Sequence, residues 1–190
     1  MEALVNSFLL VAASEMGDKT QLLALVLAAR FKKPWPIMAG ILVATVLNHG
    51  LASGLGVWAS GLLEADVLKW VLALLFWAFA IWILVPDKDE DLETKGSASA
   101  FFVTVVAFFL AEMGDKTQLA TVALAASFQK MLAVTVGTTL GMLFSDGLAV
   151  FFGDRFLKHV PMVWVRRLAA ILFAIFGVLV LWGFGSISNV

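Results

Sequence analysis

Residues 34–61, PWPIMAGILVATVLNHGLASGLGVWASG, contain no Asp, Glu, Lys or Arg. At 1.5 Å per helical residue, ~20 residues cross a hydrocarbon core about 30 Å thick, and this stretch is long enough to do so. Five more apolar segments can be drawn, at about 3–29, 65–85, 98–127, 131–153 and 164–185. The pattern predicts an all-α polytopic membrane protein with six transmembrane helices. Composition agrees: 62% of residues are hydrophobic and 14% are charged, against roughly a quarter charged in a soluble domain. The formal net charge of −1 argues against a nucleic-acid partner. The absence of cysteine excludes disulfides, thiolate metal sites and thiol chemistry. The opening MEALVNS lacks the basic start of a cleavable signal, and its apolar run is too long for one, so the first span is expected to be retained.

Short polar breaks separate the segments: RFKKPWP, LEADVLK, SFQK and GDRFLKHVP. The longest, PDKDEDLETKGS, carries five acids and two lysines and reads as a solvated linker. It divides the chain into a first three-helix repeat (1–85), an acidic linker (86–97) and a second three-helix repeat (98–190). One offset of 97 aligns the halves without a gap: Glu15 falls on Glu112, Phe31 on Phe128, Lys33 on Lys130, Gly40 on Gly137 and Gly56 on Gly153. A duplication is the best account. Because each repeat has an odd number of spans, the second is expected to enter from the opposite side, giving inverted repeats with a binding site between them near the midplane.

Lys and Arg give the orientation. One face collects Arg30, Lys32, Lys33, Lys88, Lys95, Arg155, Lys158, Arg166 and Arg167, and the other only Lys69 and Lys130. The richer face, with the linker, is expected to be cytoplasmic and both termini outside. Trp35, Trp58, Trp70 and Trp164 fall near span ends, as an interfacial belt would. Gly50, Gly54, Gly137 and Gly141 suit close helix contacts.

Within this apolar frame EMGDKTQL occurs twice, at 15–22 and 112–119. Residues three and four apart share a helical face, so Glu15, Asp18 and Lys19 should project together, as should Glu112, Asp115 and Lys116. Met16 and Met113 would point about 100° away, which favours packing over ligation. Charges at mid-span are costly and mark functional sites. Gly17 and Gly114 could break each helix, with the following Asp and Thr as caps for a restarted half-helix. Together the motifs supply four carboxylates and two lysines, a formal charge of −2. One divalent cation or two protons would cancel it, which suggests metal and protons competing for the same groups. A site of oxygens without thiolate favours Ca²⁺, Mn²⁺ or Mg²⁺. Thr20, Thr117, Gln21 and Gln118 could add neutral oxygens. Lys19 and Lys116 are read as charge-balancing groups.

Two complete EMGDKT motifs, in six spans with a central acidic loop, resemble the small cation/proton exchanger family defined by paired E-x-G-D-[KR]-[TS] motifs. That family includes Golgi manganese/calcium transporters of eukaryotes and manganese exporters of bacteria and cyanobacteria. The resemblance covers essentially the whole chain. It implies exchange of Mn²⁺ or Ca²⁺ for protons, with Glu15, Asp18, Glu112 and Asp115 as metal-binding positions. The ion is cargo, so no cofactor is expected. The short N-terminus implies a multi-pass protein of a bacterial inner membrane, and compact members imply manganese efflux. A homo-oligomer is compatible with this reading.

Other polar residues lie within spans. Asn48 and His49 align with Ser145 and Asp146. Asp146 could line the ion path or relay protons, or it could make a helix contact, with His49 as one partner. Rival readings are weaker. The M-G-D sequence overlaps the G-x-G-D of intramembrane aspartyl proteases, but glutamate stands at the first glycine. Ser53 lies one turn from His49, but no oxyanion-hole signal accompanies the pair. A structural Glu–Lys ion pair would not require two symmetric copies. A passive divalent-cation channel would more often use rings of acids in an oligomer.

Overall fold

All six apolar segments are helical where the computed structural model describes them, namely over residues 1–85, 99–153 and 162–184. The linker at 86–97 and most of the break at 153–161 lie outside the described residues. Among the described residues there are eight helices and no strand: α1 (Glu2–Glu15), α2 (Lys19–Phe31), α3 (Pro34–Ser60), α4 (Ala65–Trp82), α5 (Ala100–Glu112), α6 (Lys116–Phe128), α7 (Met131–Phe152) and α8 (Met162–Leu181). Four of them, α3, α4, α7 and α8, are long and apolar enough to cross a membrane.

The first and fourth segments are each split in two, and the break falls at the repeated motif. Gly17 and Gly114 take φ of +77° and +78°, the left-handed region that glycine enters without a Cβ penalty. Asp18 then caps α2 by accepting from the Lys19 N–H at 2.9 Å, and Asp115 caps α6 by accepting from the Lys116 N–H at 2.7 Å. Three residues after each cap, a glutamine reaches back. Gln21 Oε1 accepts from the Gly17 N–H at 2.9 Å and Gln118 Oε1 from the Gly114 N–H at 2.8 Å. This is a variant of the capping box, in which side chains satisfy the orphan donors of a helix start. The expectation that Glu, Asp and Lys share the face of one continuous helix is therefore corrected. Glu15 ends α1, Asp18 caps α2, and the glycine between them turns the chain.

The offset of 97 is visible in the helix ends as well. Both restarted half-helices stop at a residue in the left-handed region, Lys32 (φ 53°) and Gln129 (φ 51°). The next helix begins two residues later in both repeats, and Pro34 suits the first turn of α3 because its missing N–H would be unpaired there anyway.

Helices from different repeats pack closely. α1 lies on α7, α5 on α3, α6 on α3 and α2 on α7, while α4 lies on α8. Several glycines allow close approaches, and two of them match across the halves. A Cβ on Gly40 would sit 2.7 Å from Thr104 Cβ and 2.9 Å from the Phe101 carbonyl oxygen. A Cβ on Gly137 would sit 3.0 Å from Ser7 Cβ and would press on the Leu4 carbonyl oxygen. These contacts are counterparts at offset 97. Gly141 also meets α1 closely, but Gly50 and Gly54 do not serve as expected. Their nearest neighbours are the ends of side chains, Thr135 Cγ2 at 4.0 Å and the Met131 methyl at 3.5 Å.

One core lies between α4 and α8, where Phe76 meets Phe176 and Phe79 meets Phe173 edge to face, and Phe176 in turn packs on Phe128 of α6. A second gathers Val11, Leu27, Ile41, Phe108 and Met142. The outer surface remains apolar: Leu47, Leu51, Leu55, Leu132 and Phe152 are exposed, as are the four interfacial tryptophans. An exposed apolar girdle of this extent fits a lipid solvent.

Candidate functional site

The two broken motifs meet in the interior, and their charges cross over. Lys19 Nζ lies 3.4 Å from Asp115 Oδ2, and Lys116 Nζ lies 3.3 Å from Asp18 Oδ2. Each lysine stands next in sequence to one aspartate and pairs with the aspartate of the other repeat. The second pair is the more buried, with side chains 8% and 3% exposed against 25% and 9% for the first. Ion pairs removed from water hold only when geometry offsets the loss of hydration.

The glutamates differ. Both are fully buried. Glu15 accepts hydrogen bonds from two hydroxyls, Thr20 Oγ1 at 2.7 Å and Thr117 Oγ1 of the other repeat. Both oxygens of Glu112 lack a hydrogen-bond partner among the described residues. Glu112 lies within electrostatic reach of Glu15, Asp18, Asp115 and Asp146, and Asp146 within reach of Glu15. The expected carboxylates therefore share one electrostatic neighbourhood. Among the described residues no three His, Asp or Glu side chains are drawn into a formed cation cage. The crossed lysines hold the aspartates instead.

The accessory positions separate. Gln21 Nε2 donates to the Ser145 carbonyl at 2.7 Å and to its hydroxyl at 3.2 Å, tying α2 to α7. Gln118 makes the turn bond to Gly114. Asn48 Nδ2 donates to the Phe109 carbonyl at 3.0 Å. Asp146 and His49 are both fully buried, and neither carboxylate oxygen nor ring nitrogen has a hydrogen-bond partner among the described residues. The suggested Asp146–His49 contact is therefore absent there, and so is a His49–Ser53 dyad, since Ser53 Oγ is also unpartnered. Met113 is 56% exposed and Met16 half-buried, in keeping with side chains turned away from the carboxylates.

Sequence reasoning missed three features. The first is the crossing of the lysines. The second is a small, partly open recess beside the cluster, lined by Ser14, Lys116, Thr117 and Ala120 together with Phe79, Ile83 and Phe173. The third is Arg166 of α8, whose Nη2 donates to the Gly17 carbonyl at 3.3 Å. The offset of 97, which pairs Arg166 with Lys69, was the signal that could have found it.

A multi-pass helical membrane protein with duplicated acidic motifs paired in its interior has the charge pattern of an ion-transport site. The comparisons are specific: the family model described as "Divalent cation/proton antiporter GDT1" matches residues 3–91 and 100–186, and the chain belongs to the GDT1 family. It is 46% identical over 174 residues to a Vibrio cholerae protein described as "Putative manganese exporter", covering 91% of this chain and 87% of that one. It is 28% identical over 205 residues to "GDT1-like protein sll0615" of Synechocystis, covering 96% and 98%. It is also 28% identical over 204 residues to "GDT1-like protein 3" of Oryza sativa, covering 93% and 72%. No solved structure matches. Divalent cation transport across a membrane is thus the class of function.

Proposed function

We propose that the chain exports Mn²⁺ from the cytoplasm in exchange for protons, through a midplane site built from both repeats. The observation that carries this reading is the reciprocal pairing of Lys19 with Asp115 and Lys116 with Asp18. It supports inverted three-helix repeats, 1–85 and 98–190, joined by a cytoplasmic linker at 86–97, because a two-fold relation makes residue i meet j′ while j meets i′. The matched Gly40 and Gly137 contacts support the same arrangement. On this topology α1–α2 and α5–α6 each count as one broken span, giving six. Both termini lie outside a bacterial inner membrane.

Glu15, Asp18, Glu112 and Asp115 bind the ion, with Thr20, Thr117 and Gln21 shaping the site and Asp146 and Asn48 flanking it. A buried carboxylate without hydrogen bonds is costly until a cation or proton arrives, and Glu112 offers such a group. Mn²⁺ entering from the cytoplasm displaces Lys19 and Lys116 from the aspartates, and protons from the far side later displace Mn²⁺. The crossed lysines hold the empty site together between these events.

Reconstituted vesicles with a pH dye inside test the mechanism. An imposed proton gradient should drive Mn²⁺ uphill with counter-movement of protons, and flux that only ever runs downhill would leave a channel. Running Ca²⁺ beside Mn²⁺ ranks the two cargoes. Glu15→Gln and Glu112→Gln should each abolish transport while the protein stays folded. Normal export by both variants would remove the site assignment.

A further inference from the structure

The two broken turns are matched in sequence, yet only one is held. Arg166 donates to the Gly17 carbonyl at 3.3 Å. At offset 97 the counterparts are Lys69 and Gly114, and these are apart. Lys69 pairs with Asp66 of its own helix at 3.4 Å. Nothing among the described residues lies within 4 Å of where a Cβ on Gly114 would stand. The helices agree: α8 packs on α1, whereas α4 makes no comparable contact with α5. Repeat two has Val163 where repeat one has Asp66, so Arg166 has no competing acid one turn away.

The physical demand at the two turns is the same. α1 and α5 end at Glu15 and Glu112, and a helix end leaves carbonyls unpaired and carries partial negative charge that a cation complements. Each turn has one matched cation on the third helix of the other repeat. A packed element with two arrangements close in energy can switch between them.

We propose that Arg166 and Lys69 are reciprocal latches on the two broken turns. In this conformation Arg166 holds Gly17 while Lys69 is parked on Asp66. In the exchanged conformation Lys69 leaves Asp66 for the Gly114 carbonyl and Arg166 releases Gly17. On the orientation proposed above, the two cations lie toward opposite membrane faces, so the latches engage on alternate sides of the site. This rests on the inverted-repeat reading but not on the identity of the cargo. Both are positioning residues that act through the turns.

Hydrogen–deuterium exchange on the full chain in lipid nanodiscs tests it, and the duplicated EMGDKTQL gives both turns the same intrinsic exchange chemistry. Backbone amides at 16–21 should be more protected than those at 113–118. Arg166→Gln should raise exchange at 16–21 and lower it at 113–118 by roughly two- to tenfold, the range that loss of one hydrogen bond gives. Arg166→Lys should keep the native pattern, since Lys69 serves at the matching position. Asp66→Asn, on a side chain 93% exposed, frees Lys69 and should protect 113–118 without touching Arg166. If 113–118 does not respond to Asp66→Asn, the latch is overturned, and that variant decides the matter if Arg166→Gln fails to fold. Exchange judges the latch and Mn²⁺ flux in vesicles judges the transport reading, so either can fail alone.

Discussion

Glu15 and Glu112 occupy matching positions and carry the same side chain, yet their surroundings differ. Two hydroxyls serve Glu15 and none serves Glu112. A hydrogen bond to a charged group contributes about 1.5–3 kcal/mol, so Thr117→Val should destabilise the protein by that order, read as a lower melting temperature of the purified chain. The matching Thr20→Val should behave alike, since its bond also ends on Glu15. Asp146→Asn replaces a buried carboxyl group that no hydrogen bond supports; if the residue flanks the ion path, Mn²⁺ flux falls while the melting temperature holds or rises. At this scale the buried acids were legible in the sequence as candidates, because an acid inside an apolar run has no cheap explanation. Their partners were not. Lys19 stands beside Asp18 in the chain, and local spacing favours such neighbours, whereas the fold brings Asp115 to it from 96 residues away. Nothing in a linear pattern encodes that choice.

At the scale of the element, the helix breaks were legible and the packing faces less so. Gly followed by Asp and Thr announces a stop and a restart, and the φ values of +77° and +78° bear that out. Gly114→Ala should cost about 1–2 kcal/mol from backbone strain alone, since no neighbour crowds the new methyl. The span-two and span-five glycines are a different lesson. All could pack tightly, but which ones do depends on the face that meets the partner helix. Gly40→Ala places its methyl 2.7 Å from Thr104 Cβ and should destabilise by about 1–3 kcal/mol through overpacking. Gly50→Ala, with Thr135 Cγ2 at 4.0 Å, should be neutral or slightly stabilising, since alanine is the better helix former. Thermal unfolding of the two variants side by side measures the contrast.

For the whole molecule, the proposed topology makes a test independent of transport. Reporter fusions at the C-terminus should register outside, and a tag within 86–97 should register in the cytoplasm. The opposite pattern would reverse the direction of transport and leave the site unchanged. The single offset of 97 made the repeat readable without a gap from Glu15 to Gly56 and their counterparts. The departures from symmetry were only partly readable: Asp66 against Val163 and His49 against Asp146 are visible in the chain, but which turn each cation meets depends on the fold.

The crossed ion pairs carry one further consequence. A lone first repeat holds both Asp18 and Lys19 but cannot satisfy one with the other in this geometry, because each pair takes one member from each half. Two copies of a single half, inserted in opposite directions, would complete both pairs. On the proposed topology, carrying both halves in one chain spares a half-length protein from having to enter the membrane both ways round. It also frees each copy to drift, as His49 and Asp146 have done at one aligned position.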